Sequence, residues 1–196
     1  MRKLAFLTTV CAFFLLPNFS SAQQGDAMFG GGTLISSGSC SSTTGFCPEK
    51  GGFYPAVSAD VIFHRRIGFN FETAWRASQG DYAGQPYRPI ITDFNAMFQP
   101  KLGKKIGADL MAGIGWQSTR FYLPYCTGTF SCDNFVSTRH FLVDIGGGIR
   151  YYVWGHVFVR PEVHYYQIVN NTDVFSSGNV FRVGASIGYT IGGGPD

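Results

Sequence analysis

Apolar and polar residues alternate along most of the chain. In residues 67–76, Ile67, Phe69, Phe71, Thr73 and Trp75 fall on one set of positions; Gly68, Asn70, Glu72, Ala74 and Arg76 fall on the other. A period of two marks a β-strand with two unlike faces. The pattern recurs in Val57–Phe63, Ile90–Phe98, Ile106–Trp116, Phe141–Val153, Val157–Tyr165 and Phe181–Ile191. A Gly-rich first strand near Ala27–Ile35 completes a set of eight. Each is about the 9–11 residues that a tilted membrane strand needs. Their connectors alternate between short (64–66, 101–105, 154–156) and long, polar ones (37–52, 77–88, 121–138, 169–179).

The polar set decides which face points where. It carries Asp60, Glu72, Arg76, Asp93, Asp109, His140, Asp144, Arg150, Arg160, Glu162, His164 and Arg182, with Gly107, Gly113, Gly115, Gly146, Gly148, Gly184 and Gly188 between them. An eight-stranded barrel has an interior just wide enough for side chains, so glycines beside arginines suit a narrow lumen. The apolar set then faces lipid. Trp75, Trp116 and Tyr165 fall near the long-loop ends of their strands, and Phe63, Phe98, Tyr151, Trp154 and Tyr189 near the short-turn ends. These positions predict two aromatic girdles. The predicted fold is all-β: an eight-stranded antiparallel up-and-down transmembrane β-barrel.

Composition sharpens this reading. Charged residues make up 14% and aromatics 16%, with 26 glycines in 196 residues; soluble domains carry roughly 25% charge. Arg2 and Lys3, the apolar run Leu4–Leu16, Pro17 and the small residues Ser20-Ser21-Ala22 read as a secretory signal peptide over 1–22. The barrel domain is then 23–196. The formal charge of +3 falls by two on cleavage, since no acid leaves with the two bases. The basic balance is thus largely a targeting feature and gives no support for nucleic-acid binding. Cys40, Cys47, Cys126 and Cys132 remain, an even number in an exported chain. Three pairings are open; the simplest joins Cys40 to Cys47 and Cys126 to Cys132, each within one long loop.

With strands, loops and girdles placed, the chain resembles the small eight-stranded barrels of Gram-negative-type outer membranes, the outer-membrane-protein-A and -X type, over about residues 26–192. The resemblance implies an outer-membrane location, turns in the periplasm, loops at the cell surface and contact with outer-membrane lipid. It also implies insertion by the barrel assembly machinery. The family's assembly signal lies in the last strand, where Arg182, Gly184, Ile187 and Tyr189 stand at its places. Family chains often end on the aromatic; this one continues through "TIGGGPD".

Other motifs carry less. Gly184-Ala-Ser186-Ile-Gly188 matches a nucleophile elbow in letters, but the stretch alternates like a strand and no histidine follows. The "GGG" runs lack the following helix of a phosphate loop. His140, Asp144 and His164 lie on adjacent strands as a candidate metal set; lumen filling is the simpler account, and neither metal nor cofactor is expected. Tyr82, Tyr87, Tyr122 and Tyr125 read either as loop anchors for an extracellular ligand or, for Tyr87 and Tyr122, as part of the outer girdle. Counted from the turns, Asp60, Asp109, Arg150 and Arg160 share a depth. This predicts a lumen filled by ion pairs among Asp60, Glu72, Arg76, Asp93, Asp109, Asp144, Arg150, Arg160, Glu162 and Arg182. The function expected is structural or surface-interacting, not enzymatic and not an open porin. Two alternatives are a soluble lipocalin-type ligand-binding barrel and an outer-membrane enzyme acting on lipid or peptide through His140 or His164.

Overall fold

The computed structural model describes residues 24–36, 51–64, 66–82, 84–122, 125–126, 132–170 and 178–192. The predicted signal peptide, Cys40, Cys47 and the tail from residue 193 lie outside them. Eleven strands are described: β1 (Gln24–Ser36), β2 (Tyr54–His64), β3 (Ile67–Trp75), β4 (Gly80–Tyr82), β5 (Gln85–Phe98), β6 (Ile106–Phe121), β7 (Tyr125–Cys126), β8 (Cys132–Asp133), β9 (Val136–Trp154), β10 (Val157–Ile168) and β11 (Asn179–Gly192). Eight form the wall. They pair with their chain neighbours, antiparallel throughout, in the order β1-β2-β3-β5-β6-β9-β10-β11, and β11 closes on β1 along thirteen residue pairs from Gln24↔Gly192 to Ser36↔Val180. Closure leaves no sheet edge, so every wall strand finds backbone partners on both sides.

The wall runs further into the loops than alternation alone predicts. β9 has 19 residues and β6 has 16. The short strand β4 folds back on β5, and β7 pairs with β8 inside the predicted third long loop. That loop pairing puts Cys126 opposite Cys132. The turn between β9 and β10 is two residues, Gly155 and His156, and Gly155 takes φ 52°, the left-handed conformation such hairpins require.

Below its loop end the outer face is apolar. Phe29, Phe69, Phe94, Ile114, Phe141, Ile145, Val183 and Ile187 are all exposed. A patch this large on a water-soluble chain would be an aggregation surface; against hydrocarbon it is the stable arrangement. Of the predicted girdle residues, Phe63, Phe98, Trp116, Tyr151 and Tyr189 are exposed on this face, Trp75 and Tyr165 are half-exposed, and Trp154 is exposed at the turn end of β9. The Thr73 and Thr92 hydroxyls, opposite each other on β3 and β5, hydrogen-bond mutually at 3.1 Å, so neither is left unpaired beside lipid.

Candidate functional site: the barrel interior

The inward residues of all eight wall strands converge on one polar network between two apolar layers. At the loop end, Leu34, Tyr54, Tyr87, Ile91, Leu142, Tyr166, Ile168 and Val180 pack together. At the turn end, Met28, Tyr152 and Phe158 form one cluster and Ile62, Met97 and Met111 another. Tyr87 is 4% exposed. It belongs to this inner layer, which corrects its reading as a loop anchor or girdle residue: the wall continues up to Gln85, so position 87 falls on the inward parity of β5. Tyr122 stays half-buried at the rim, beside Phe135. Tyr82 and Tyr125 lie in β4 and β7.

The lower half of the network centres on two arginines. Arg150 donates through Nη1 to Asp26, and through Nη2 to Asp60 at 2.8 Å and Asp109 at 3.1 Å. Arg160 reaches the same Asp60 and Asp109 oxygens at 3.2 and 3.4 Å, and its Nε donates to Glu162 at 2.8 Å. The four residues expected at one depth therefore meet. Asp26 is the member the sequence reading missed. It stands directly opposite Asp60 on β1 and is 4% exposed. Two carboxylates side by side would repel; the Arg150 fork spans them. The guanidinium also lies 4.1 Å above the Phe158 ring.

The upper half is built on one arginine. Arg182 Nη2 contacts Glu72 and, at 3.0 Å, Glu162. Asn95 Nδ2 lies 2.8 Å from both Asp93 and Asp144 and 3.3 Å from the Asn70 carbonyl, and Asn70 in turn donates to Asp60 at 2.6 Å. His164 Nδ1 bonds Asp144 at 3.0 Å. Asp60, Asn70 and Asn95 thus join the two halves. Arg76 sits higher, half-buried, its Nη1 donating to the Tyr87 hydroxyl at 3.2 Å.

Glycine makes the room. A Cβ on Gly146 would lie 2.5 Å from His164 Nδ1, one on Gly148 2.9 Å from Arg160 Cγ, and one on Gly188 2.2 Å from Phe158 Cζ. Each glycine therefore accommodates a large neighbour across the ladder.

The candidate metal set is not assembled. His140 stands opposite Gln117, two inward positions above Asp144. A different trio, Glu72, Glu162 and His164, brings ligating atoms within 4.8 Å, but Arg182 occupies both carboxylates. Ser186 lies within β11, its hydroxyl 3.5 Å from Arg160 O and from Glu162. It is on a regular strand with no elbow around it. Near the turns a crevice of about 30 Å³ reaches Arg150.

No family model and no curated protein matches the sequence. Solved structures do match. Neisserial surface protein A shares 11% identity at a TM-score of 0.57, over 85% of this chain and 95% of its own. The N-terminal β-barrel domain of Pseudomonas aeruginosa OprF gives 10% and 0.56, over 87% and 98%. The attachment invasion locus protein Ail of Yersinia pestis gives 10% and 0.54, over 87% and 99%. The fold is that of the small outer-membrane β-barrels.

For an outer-membrane barrel the two faces make sense together. The apolar outer wall is the face a barrel turns to lipid, in keeping with the outer-membrane barrels whose fold it shares. A lipocalin-type barrel would put its apolar face inward. Here the inward face holds Arg150, Arg160 and Arg182, each at most 1% exposed. In the last strand, the positions expected to carry the assembly signal divide between the faces: Arg182 and Gly184 point in, Ile187 and Tyr189 out.

Proposed function

We propose that this outer-membrane barrel is a non-enzymatic, non-conducting protein whose lumen is closed by its charge network and whose surface loops serve a structural or surface-interaction role. One observation carries the reading: three buried arginines bind acids contributed by strands right around the wall, under an apolar layer at the loop end. A solute crossing the barrel would have to break these pairs in a low-dielectric space, where an unpaired charge costs several kcal/mol. Purified barrel in planar bilayers should therefore show no large, stable conductance; porin-like steps would overturn the reading. The loops would be held by disulfides Cys40–Cys47 and Cys126–Cys132, the second supported by the opposed backbone positions. Each closes a short loop worth roughly 2–3 kcal/mol. Reduction should leave the barrel folded, and peptide mapping that joins Cys40 to Cys126 or Cys132 would refute the pairing. Residues 1–22 would direct export, and Arg182, Gly184, Ile187 and Tyr189 would engage the assembly machinery.

A further inference from the structure

The outer face of β5, β6 and β9 carries a second, separate group of arginines. Arg88 of β5 lies directly opposite Arg120 of β6, and one inter-strand row below them Ser118 of β6 faces Arg139 of β9. All three occupy outward positions near the loop end, next to the outer girdle. Like charges directly opposite on one sheet face repel. None of the three meets a carboxylate among the described residues. Arg88 donates to Ala77 O at 3.3 Å and lies 5.9 Å from the Tyr122 ring, and Arg120 lies 5.1 Å from the Phe135 ring. Aromatic rings steady these cations without neutralising them.

Directly below the arginines the wall is hollowed. Phe94, Ile114, Trp116 and Phe141 line a groove of about 430 Å³, with Arg139 at its edge. Gly115 lies in the groove floor. The sequence of features from loop end to mid-wall is cations, then an aromatic rim, then an apolar groove opening to the membrane.

We propose that this face binds a phosphorylated lipid of the outer leaflet, its phosphate between Arg88, Arg120 and Arg139 and an acyl chain in the groove. Guanidinium forks match phosphate oxygens in charge and geometry, and a phosphate between Arg88 and Arg120 turns their repulsion into two attractions. The groove supplies the apolar half of the recognition, which a free anion would not use. The lipid would sit on the wall as a fixed annular molecule, leaving the loops and lumen untouched.

Native mass spectrometry of the folded barrel in detergent tests this with three probes: diphosphoryl lipid A, the same lipid with its phosphates removed, and inorganic phosphate. The diphosphorylated form should be retained at least roughly tenfold more tightly than the dephosphorylated one, with inorganic phosphate neither retained nor an effective competitor. The variant Arg88→Ser/Arg120→Ser/Arg139→Ser should lose that preference, whereas Lys104→Ser/Lys105→Ser at the periplasmic turns should keep it. Gel mobility before and after heating checks that each variant is folded. The single Arg139→Gln, in an otherwise native chain, should weaken retention in the same direction. Equal retention of the two lipids, an undiminished preference in the folded arginine variants, or displacement by inorganic phosphate would overturn the proposal.

Discussion

The two halves of the lumen hold charge in different ways. In the lower half, two arginines serve Asp26, Asp60 and Asp109 through several nitrogens, and Arg150 Nε is the polar atom there without a hydrogen-bond partner among the described residues. In the upper half, one nitrogen of Arg182 serves Glu72 and Glu162, while Asp93 and Asp144 depend on Asn95, His164 and Tyr166. Glu72 Oε2, Asn95 Oδ1, Asp144 Oδ1, His164 Nε2 and Arg182 Nε and Nη1 have no hydrogen-bond partner among the described residues. A buried polar network stabilises in proportion to how fully it is satisfied. The lower half is therefore the clamp, and the upper half is held together chiefly by Arg182. Arg160 links them, since its Nε reaches up to Glu162.

The sharpest way to break this contrast is to remove arginines one at a time. Arg182→Ala leaves Glu72 without its closest cation; Arg160 remains at 3.8 Å and the His164 ring within 4.8 Å. The expected loss is about 3–5 kcal/mol, the cost of an uncompensated buried charge. Arg150→Ala strands Asp26, but Asp60 and Asp109 keep Arg160, so the loss should fall at or below the lower end of that range. Denaturant unfolding of the barrel in lipid vesicles, followed by tryptophan fluorescence, measures both. Equal or reversed losses would mean that the halves are not distinct.

Acid substitutions sharpen it further. Asp60 accepts from both lower arginines and from Asn70. Asp60→Asn should cost about 1.5–3 kcal/mol, the worth of hydrogen bonds to a charged group. Asp93 accepts from Asn95 and, at 3.4 Å, from Tyr166, and forms no ion pair among the described residues. Asp93→Asn should change stability by less than about 1 kcal/mol, because it removes a charge that lacks an opposite partner. The same unfolding assay applies. A loss at Asp93 as large as that at Asp60 would show that the upper acids are better compensated than their contacts indicate.

Space differs between the halves as charge does. Gly146→Ala drives a methyl group to 2.5 Å from the His164 ring, whereas Gly107→Ala places one 3.6 Å from Pro100 O and 4.0 Å from Arg150 Cβ, ordinary contact distances. Gly146→Ala should cost about 1–3 kcal/mol through overpacking, and Gly107→Ala close to nothing. Comparison of their melting temperatures checks this.

Alternation made the wall and its orientation legible, and turn counting placed Asp60, Asp109, Arg150 and Arg160 together, because a period of two fixes the face of every residue in an unbroken strand. What stayed hidden lies where alternation fails. Asp26 stands just outside the predicted first strand, whose glycines 30–32 carry no pattern. The inner apolar layer was masked because both faces are apolar there, as in Ile90-Ile91, Phe141-Leu142-Val143 and Val180-Phe181. Tyr87 was hidden by a predicted loop that continues instead as strand. The split between a clamped lower half and a sparsely paired upper half depends on side-chain reach across the lumen, which no single strand encodes.

The smallest effect tests whether the upper network is cooperative. Tyr166 donates to Asp93 at 3.4 Å, while Tyr152 shares a hydrogen bond with Thr190 at 3.3 Å near the turns. Both rings are largely buried in apolar clusters, so Tyr→Phe keeps the packing and removes only the hydroxyl. Each substitution alone should cost about 0.5–1.5 kcal/mol, the usual net worth of a hydrogen bond. The two should differ in context. The Tyr152–Thr190 bond joins neutral groups, so Tyr152→Phe should cost the same in wild type and in Asp93→Asn. At a pH where Asp93 is ionised the Tyr166 bond gains from the charge on its acceptor, so its loss should shrink once Asp93 is an amide, giving a coupling of about 0.5 kcal/mol or more in a double-mutant cycle. A coupling of zero for Tyr166, with Tyr152 equally indifferent, would mean that the Asp93 charge is not felt by its neighbours. The upper half would then be a set of independent polar contacts, not a network.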